Sequence, residues 1–411
     1  MKLVFADELF DAQLVRALSY AEQHGADIGE CIATAQRITK VDGQLWFDQW
    51  LATAQRAERQ AEVSLAGGHR ISARNAWLRA SNYYRTAGIF VMGPNSQYRS
   101  SVAKQTDTFR RAAELFDLPP DVLQIPYENT RLPGYFFRAS DDGAPRPTVI
   151  ITNGYDGTVE ELYFNNAVAA LERGYNVLTF DGPGQGSVIS EQGIPFRPDW
   201  EAVVTPVVDF ALTLPEVDPT KIVLHGISFG GYLAPRAATA EHRIAACVSD
   251  CGPYDLQDAT LARIPAPLAK SVLAGHAIGT ALLGKLMAAL IKKPTAGWGL
   301  RRGVWVHNLT GPLDYLALSA DYTLKGREHL ITCPTFVCTT EGDDISVQAA
   351  ILADKLRCPH EFVVFTAADD VYGHGETSGR AQFHARVYDW LDATLASRQL
   401  HAIASTSNDR Y

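Results

Sequence analysis

The chain is sparing with cysteine, and its six cysteines (Cys31, Cys247, Cys251, Cys333, Cys338 and Cys358) form no CxxC pair. That spacing argues against a disulfide framework or a short-range zinc site and fits reduced thiols in a cytoplasmic setting. There is no basic tract, and the formal net charge is −9, so no nucleic-acid partner is expected. An uninterrupted apolar run is missing as well. The nearest, Val272 to Ile291, is broken by His276 and Lys285 and loosened by Gly275, Gly279 and Gly284. It reads as a helical hairpin over a pocket rather than a span, and no membrane partner is expected. The first residues turn acidic at Asp7-Glu8, too early for a signal peptide. No metal-ligand cluster stands out. Asp181-Gly182-Pro183-Gly184-Gln185-Gly186 lacks the Lys-Ser/Thr of a phosphate loop, and Pro183 spoils a dinucleotide fingerprint. It reads as a turn at a site edge, so neither metal nor cofactor is expected.

What remains is an ordinary globular composition, 46% hydrophobic and 20% charged, over 411 residues, enough for a main and an accessory domain. Residues 1–118 carry helical stripes only, such as Trp46, Trp50, Leu51 and Ala54, or Ala76, Ala80, Tyr83, Tyr84 and Ala87. Four or five packed helices are predicted there. Leu118-Pro119-Pro120 marks the boundary of a second domain, 119–400. Its short apolar runs alternate with helical segments, the pattern of a mostly parallel sheet covered by helices. Eight strands are predicted: Val122–Tyr127, Leu132–Arg138, Thr148–Thr152, Asn176–Phe180, Lys221–Leu224, Ala245–Val248, Thr335–Cys338 and Glu361–Phe365. Asp141-Asp142-Gly143-Ala144-Pro145 reads as a hairpin turn between the second and third. The connection at about 252–330 far exceeds an ordinary α/β loop and reads as a helical lid insertion. Its apolar residues (among them Leu273, Ile278, Leu282, Leu283, Leu286 and Met287) are expected to face a pocket. The stretch from Ala402 onward is expected to fray.

His225-Gly226-Ile227-Ser228-Phe229-Gly230-Gly231 follows one predicted strand and precedes an alanine-rich helical segment. Strand, G-x-S-x-G, helix is a nucleophile elbow: the glycines permit a sharp turn that lifts the Ser228 hydroxyl above the sheet. A serine needs a base, and the base an orienting carboxylate, in the chain order serine, acid, histidine. The turn after the seventh strand offers Glu341, Asp343 and Asp344. Asp344 is preferred, three residues before a helix expected at Val347, with Asp343 read as a turn or N-cap residue. His374, in the loop after the eighth strand, is the candidate base; His225, His360 and His384 fit the order or the sheet edge less well. The oxyanion donors would be the amides of Phe229 and of Tyr155 in Asn153-Gly154-Tyr155-Asp156-Gly157. Gly154, Asp156, Tyr83 and Tyr84 are candidate substrate contacts.

Taken with Glu160-Glu161, Asp199-Trp200-Glu201, Glu341-Gly342-Asp343-Asp344-Ile345-Ser346 and Ala80-Ser81-Asn82-Tyr83-Tyr84-Arg85, these motifs resemble one branch of the α/β-hydrolase superfamily. That branch holds 2,6-dihydroxypseudooxynicotine hydrolase and polyketide chain-shortening hydrolases, with FrsA-like esterases as relatives. The resemblance implies an eight-stranded sheet, an N-terminal helical cap and a cofactor-free triad between cap and core. In the nicotine-pathway enzyme a further glutamate after the sixth strand is thought to assist C–C cleavage. Cys251 to Arg327 holds no glutamate here, only Asp255, Asp258, Asp314 and Asp321 as substitutes. The expected activity is hydrolysis of a small hydrophobic carbonyl compound, a polyketide-like β-diketone or an ester, by a protein that could pair as a homodimer. Acyl transfer or peptidase/amidase action are the alternatives on the same triad.

Overall fold

The computed structural model describes residues 2–408, with side chains as far as Ser397. The N-terminal region folds as α1 (Glu8–Leu18), α2 (Ile28–Arg37), α3 (Gly43–Ala66), α4 (Arg70–Gly88) and α5 (Ser96–Ala113). Four of them begin at Asp7, Asp27, Asp42 and Asn95, whose side chains accept from first-turn amides and so satisfy donors that the helix leaves free. The predicted stripes become the core of this layer, where Phe10, Trp46, Trp50, Tyr83 and Tyr84 pack among Ala54, Ala57, Ala80 and Ala87. The small alanines let the helices approach closely enough for the large rings to interlock.

All eight predicted strands form: β1 (Asp121–Tyr127), β2 (Thr130–Phe137), β3 (Arg146–Thr152), β4 (Asn176–Phe180), β5 (Val217–Ile227), β6 (Ile244–Asp250), β7 (Thr335–Thr340) and β8 (His360–Phe365). They lie in one sheet, in the order β1-β2-β4-β3-β5-β6-β7-β8. β1 and β2 are antiparallel, as are β2 and β4, while the other pairs run parallel. The hairpin predicted at Asp141–Pro145 is therefore corrected. β2 pairs with β1 and β4, and the segment through 141–145 crosses past β4 to reach β3. A polar Gly-Pro turn marks a reversal but carries no information on which strand lies alongside.

Central strands bury both faces, so they read as continuous apolar runs. Ile150, Leu178 and Leu224 face a cluster containing Trp200 and Val204. Val149, Ile151, Val177 and Val223 face the opposite cluster, containing Val387 and Leu391 of helix Arg380–Asn408. That helix enters the stretch expected to fray, of which residues 409–411 lie outside the described residues. The parallel register brings the chain segments leaving β3, β5, β6, β7 and β8 to one sheet edge, where open α/β sheets place their ligands.

Between β6 and β7 run five helices, Leu256–Leu261, Ala266–Leu273, Ala277–Leu290, Trp298–Val306 and Pro312–Ser319. Leu261, Ala269, Leu283, Met287 and Leu316 form a small core of their own. The expectation that the apolar lid residues face a pocket is corrected in part: Leu273, Ile278, Leu282 and Leu286 are exposed. Among the described residues no helix is long and apolar enough to cross a membrane. All six cysteines are buried and unbridged.

Candidate active site

β5 ends at Ile227 and a helix begins at Gly230, leaving Ser228 and Phe229 as the turn. Ser228 has φ 59°, a left-handed conformation costly for any residue with a Cβ. It is held there because its amide donates to Asp250 O (2.8 Å) and its carbonyl accepts from Gly231 N (2.8 Å). The flanking glycines are dictated by contact. A Cβ on Gly226 would lie 1.8 Å from Gly230 O, and one on Gly230 would lie 2.5 Å from Thr152 O.

The hydroxyl raised by this turn meets His374. Ser228 Oγ lies 2.7 Å from His374 Nε2, and His374 Nδ1 lies 2.7 Å from Asp343 Oδ2. The carboxylate that meets the histidine is thus Asp343, and the preference for Asp344 is corrected. Gly342 turns the chain at φ 77° directly after β7, so that position 343 faces back toward the sheet edge. The helix expected at Val347 starts at Ala349. Asp344 is left exposed, its main-chain carbonyl accepting from Arg263 Nη2 at 3.4 Å. Asp343 does make the turn contact read for it, through Oδ1 to Ile345 N at 3.0 Å, while Oδ2 also accepts from the Ser346 hydroxyl. One carboxylate fills both roles.

Burial opposes charging His374, but the charge of Asp343 and the hydrogen bond to it, with smaller help from Asp250 and Asp156, lift its pKa above the ordinary imidazole value. Burial likewise opposes ionisation of Asp343, yet His374 and the donors around it bring its pKa below the usual carboxylate value. The pair is therefore built to stabilise an imidazolium next to a carboxylate.

The loop 153–157 closes on the serine. A Cβ on Gly154 would sit 2.8 Å from Ser228 Cβ and 2.9 Å from Ile227 O, so only glycine allows the approach. The amides of Tyr155 and Phe229 donate to no acceptor among the described residues. Three parts of the molecule hold this loop. From the core, Gln185 Nε2 donates to Asn153 O (2.6 Å), which gives the segment 181–186 a task beyond lining an edge. From the insertion between β6 and β7, buried Arg302 donates through Nε to Tyr155 O at 2.9 Å. From α1, Arg16 binds Asp156 (2.8 Å) and grips Glu161 with two nitrogens at 2.7 Å each.

Those contacts correct three proposed substrate contacts. Asp156 is a half-buried clamp, its side chain 12% exposed: desolvation would raise its pKa, but Arg16, Arg85 and Arg302 hold it well below the carboxylate range. Tyr83 is buried in the helical layer, its hydroxyl donating to Glu30 (2.7 Å) and accepting from Asp27 N (2.8 Å). Tyr84 is buried too and donates to Glu58. Aromatic periodicity identified helix faces, and those faces pack inward. Arg16 and Arg302 escaped the sequence reading, since single long side chains carry no periodic signal, and Gln185 reads from sequence only as part of an edge turn.

A second buried group lies behind the histidine. Glu376, two residues after His374 and at φ 47°, accepts from Cys251 Sγ (3.0 Å) and Thr340 Oγ1 (3.2 Å). Ligand-capable atoms of Asp250, Cys251, Cys338 and Glu376 lie within 4.8 Å of one another, a grouping that no sequence spacing reveals. Burial and the charge of Asp250 push the Glu376 carboxyl far above its ordinary pKa; Asp250, despite burial, is drawn down by His225 and Arg380. His225 is packed away from the serine, 3.8 Å from Asp250, and His384 is buried with Nε2 2.8 Å from Asn165 O.

Comparison with known proteins agrees with this fold. The family described as "Alpha/beta hydrolase family" matches residues 149–377, and "Esterase FrsA-like" matches 38–258. A 20-hydroxy-prefusarin hydrolase of Gibberella moniliformis is 33% identical, the alignment covering 97% of this chain and 99% of that protein. An alpha/beta hydrolase of Aspergillus fumigatus is 35% identical over 98% and 97%. The chain belongs to the alpha/beta hydrolase family. The solved 2,6-dihydroxy-pseudo-oxynicotine hydrolase shares its fold, with TM-score 0.73 and 22% identity over 92% of this chain and 96% of that one. The resemblance read from the motifs is thereby shown, and the protein is a hydrolase enzyme.

Next to loop 153–157 the hydrolase packs an aromatic cluster. The Tyr155 ring lies 5.1 Å from Phe229, 5.6 Å from Phe196 and 5.7 Å from His307. His307, at the end of lid helix Trp298–Val306, is held by Tyr322, whose hydroxyl is 3.1 Å from Nδ1. Burial brings its pKa down to about 3, so the ring stays neutral, and its Nε2 has no partner among the described residues.

A Gly154→Ala variant of the hydrolase tests the close approach. The added methyl meets backbone and the serine Cβ, so the loop must shift by a fraction of an ångström while the fold persists. Turnover is expected to fall by about 10²-fold, the scale of a small misplacement at a reacting centre, with melting temperature little changed. Parallel kinetics and thermal unfolding check this.

Proposed function

We propose that this hydrolase cleaves a hydrophobic carbonyl compound, either the C–C bond of a polyketide-like β-diketone or an ester, using Ser228, His374 and Asp343. The observation that carries the reading is the unbroken hydrogen-bonded relay from Ser228 Oγ through His374 to Asp343, at 2.7 and 2.7 Å, beside two amides without acceptors. His374 Nε2 takes the hydroxyl proton as Oγ bonds to the substrate carbonyl carbon, and the carbonyl oxygen becomes an oxyanion facing the Phe229 and Tyr155 amides. As that intermediate collapses, His374 returns the proton to the leaving group, an enolate from a β-diketone or an alkoxide from an ester. Water, deprotonated by the same imidazole, then frees the acyl group from Ser228. Asp343 keeps the Nδ1 proton in place throughout.

The packed aromatic cluster of Tyr155, Phe196, Phe229 and His307, which adjoins Ser228 through Phe229, supports an unsaturated or aromatic acyl chain. So does the name of the 20-hydroxy-prefusarin hydrolase among the relatives. Cys251 to Arg327 holds no glutamate; Asp255, Asp258 and Asp314 are engaged in helix starts or pairing with Lys325, and Asp321 is exposed. Assistance to C–C cleavage from an extra carboxylate in that segment is therefore not part of this reading. The test is a panel of aryl esters and β-diketones assayed with added alcohol and amine acceptors. Cleavage to free acid supports hydrolysis, and the ester-to-diketone ratio assigns the bond; acyl products on the acceptors would overturn hydrolysis in favour of transfer.

The base must be neutral to act, so kcat/KM is expected to fall as pH drops through the His374 pKa. Because that pKa is raised, the acidic limb should lie above the ordinary imidazole value, about 6.5. A pH–rate profile in which activity persists well below that value would contradict the assignment.

A further inference from the structure

Lid helix Ala277–Leu290 buries Gly279, Leu283 and Met287, four residues apart. Its other side turns Ile278, Leu282 and Leu286 to solvent at 85%, 57% and 46% exposure, with Leu273 at 63% before it and Leu290 at 38% at its end. Residues four apart stack along a helix, so these side chains form one continuous ridge. Around them the exposed positions are alanines (Ala277, Ala281, Ala288, Ala289) and a single charge, Lys285. An unbroken apolar ridge of this kind on a water-facing surface marks a contact site.

Charge identifies the contact. From Ala259 to Leu313 the chain contains Arg263, Lys270, Lys285, Lys292, Lys293, Arg301 and Arg302 and no Asp or Glu, in a protein whose net charge is −9. Arg302 is buried against Tyr155, and Arg301 is spent on the carbonyls of Ile291, Lys293 and Pro294. Lys270, Lys285, Lys292 and Lys293 are exposed and in no ion pair among the described residues. A twofold contact between two copies of this ridge would set Lys285, at mid-helix, against its own counterpart with no acid in the segment to offset it. Anionic headgroups offer the opposite charge and an apolar layer beneath.

We propose that this lid face is a peripheral docking surface for membranes bearing anionic lipids. The ridge of Ile278, Leu282 and Leu286 enters the headgroup–acyl boundary while Lys270, Lys285, Lys292 and Lys293 meet phosphates, so that buried apolar area and attraction to anionic lipid act together. At 14 residues the helix is about 21 Å long, too short to span and suited to lie in the plane. The sequence-based expectation of no membrane partner concerned a spanning segment, and docking is a different contact. A surface of this kind beside the lid would bring the enzyme to where apolar substrates concentrate, but the proposal stands independently of the serine chemistry.

Co-sedimentation of the full chain with vesicles of phosphatidylcholine, alone or mixed with phosphatidylglycerol, tests it. Wild type is expected to bind the mixed vesicles at least tenfold more tightly than the neutral ones and to be released by salt. A triple Ile278→Ser, Leu282→Ser, Leu286→Ser variant should lose that binding. Lys285→Glu, Lys292→Glu, Lys293→Glu should weaken it by about 10²-fold, from roughly 1 kcal/mol per cation. Fluorophosphonate labelling should be unchanged in both, which confirms folding. Should the triple variant misfold, the single Ile278→Ser change at the most exposed position is expected to weaken binding on its own. Absence of wild-type binding, or binding indifferent to lipid charge and to the variants, overturns the proposal. So does a wild-type dimer, seen by light scattering, that the ridge variants dissociate while no lipid binding occurs.

Discussion

Replacing Ser228 with alanine is expected to abolish covalent labelling by a fluorophosphonate and to lower turnover by at least about 10⁴-fold, the scale at which a triad fails when its nucleophile is removed. The argument is geometric. Ser228 Oγ is the atom 2.7 Å from His374 Nε2, and the turn that presents it is held by main-chain bonds from Ser228 N and O that alanine keeps. The fold should therefore survive, and circular dichroism with mass spectrometry of the labelled peptide reads both halves of the claim. A second variant separates strain from chemistry. At φ 59° a residue with a Cβ is strained by about 1–2 kcal/mol, so Ser228→Gly should be as inactive as alanine yet melt at a higher temperature. A label that persists in Ser228→Ala would move the nucleophile elsewhere and overturn the proposed mechanism.

The parts legible in the sequence were those with a local physical cause. β3, β4 and the middle of β5 are apolar on both faces, and their runs are visible without knowing their neighbours. The elbow is legible because Gly226 and Gly230 are imposed by contacts of 1.8 and 2.5 Å. What stayed hidden depended on distant residues meeting. The lateral neighbour of β2 is chosen by β4, some forty residues later, so a turn-based hairpin had no means of succeeding. The clamp of Arg16 on Asp156 and Glu161 spans about 140 positions, and the Cys251–Glu376 contact 125. In the lid, hydrophobicity was read as burial. The helix is apolar nearly all round, and only its packing decides that Leu283 faces inward and Ile278 outward.

The choice between adjacent acids carries the other large effect. Asp343→Asn is expected to lower kcat/KM by about 10³- to 10⁴-fold, and Asp344→Asn by no more than about twofold. A carboxylate at 343 accepts the Nδ1 proton of His374 and leaves Nε2 free to take the serine proton. An asparagine there can present its amide to Nδ1, which places the ring proton on Nε2 and points a donor at Ser228, so the base is lost through its tautomer. The pH dependence gives an independent sign. Burial alone lowers the His374 pKa, and Asp343 is the main influence raising it. With that charge gone, the residual activity of Asp343→Asn should show its acidic limb at lower pH than wild type. Asp344, exposed and tied to Arg263 only through its main-chain carbonyl, should leave both rate and limb in place. The reverse outcome, with Asp344→Asn inactive and Asp343→Asn intact, would require the 340–346 turn to present the neighbouring residue during catalysis and would overturn the relay as described.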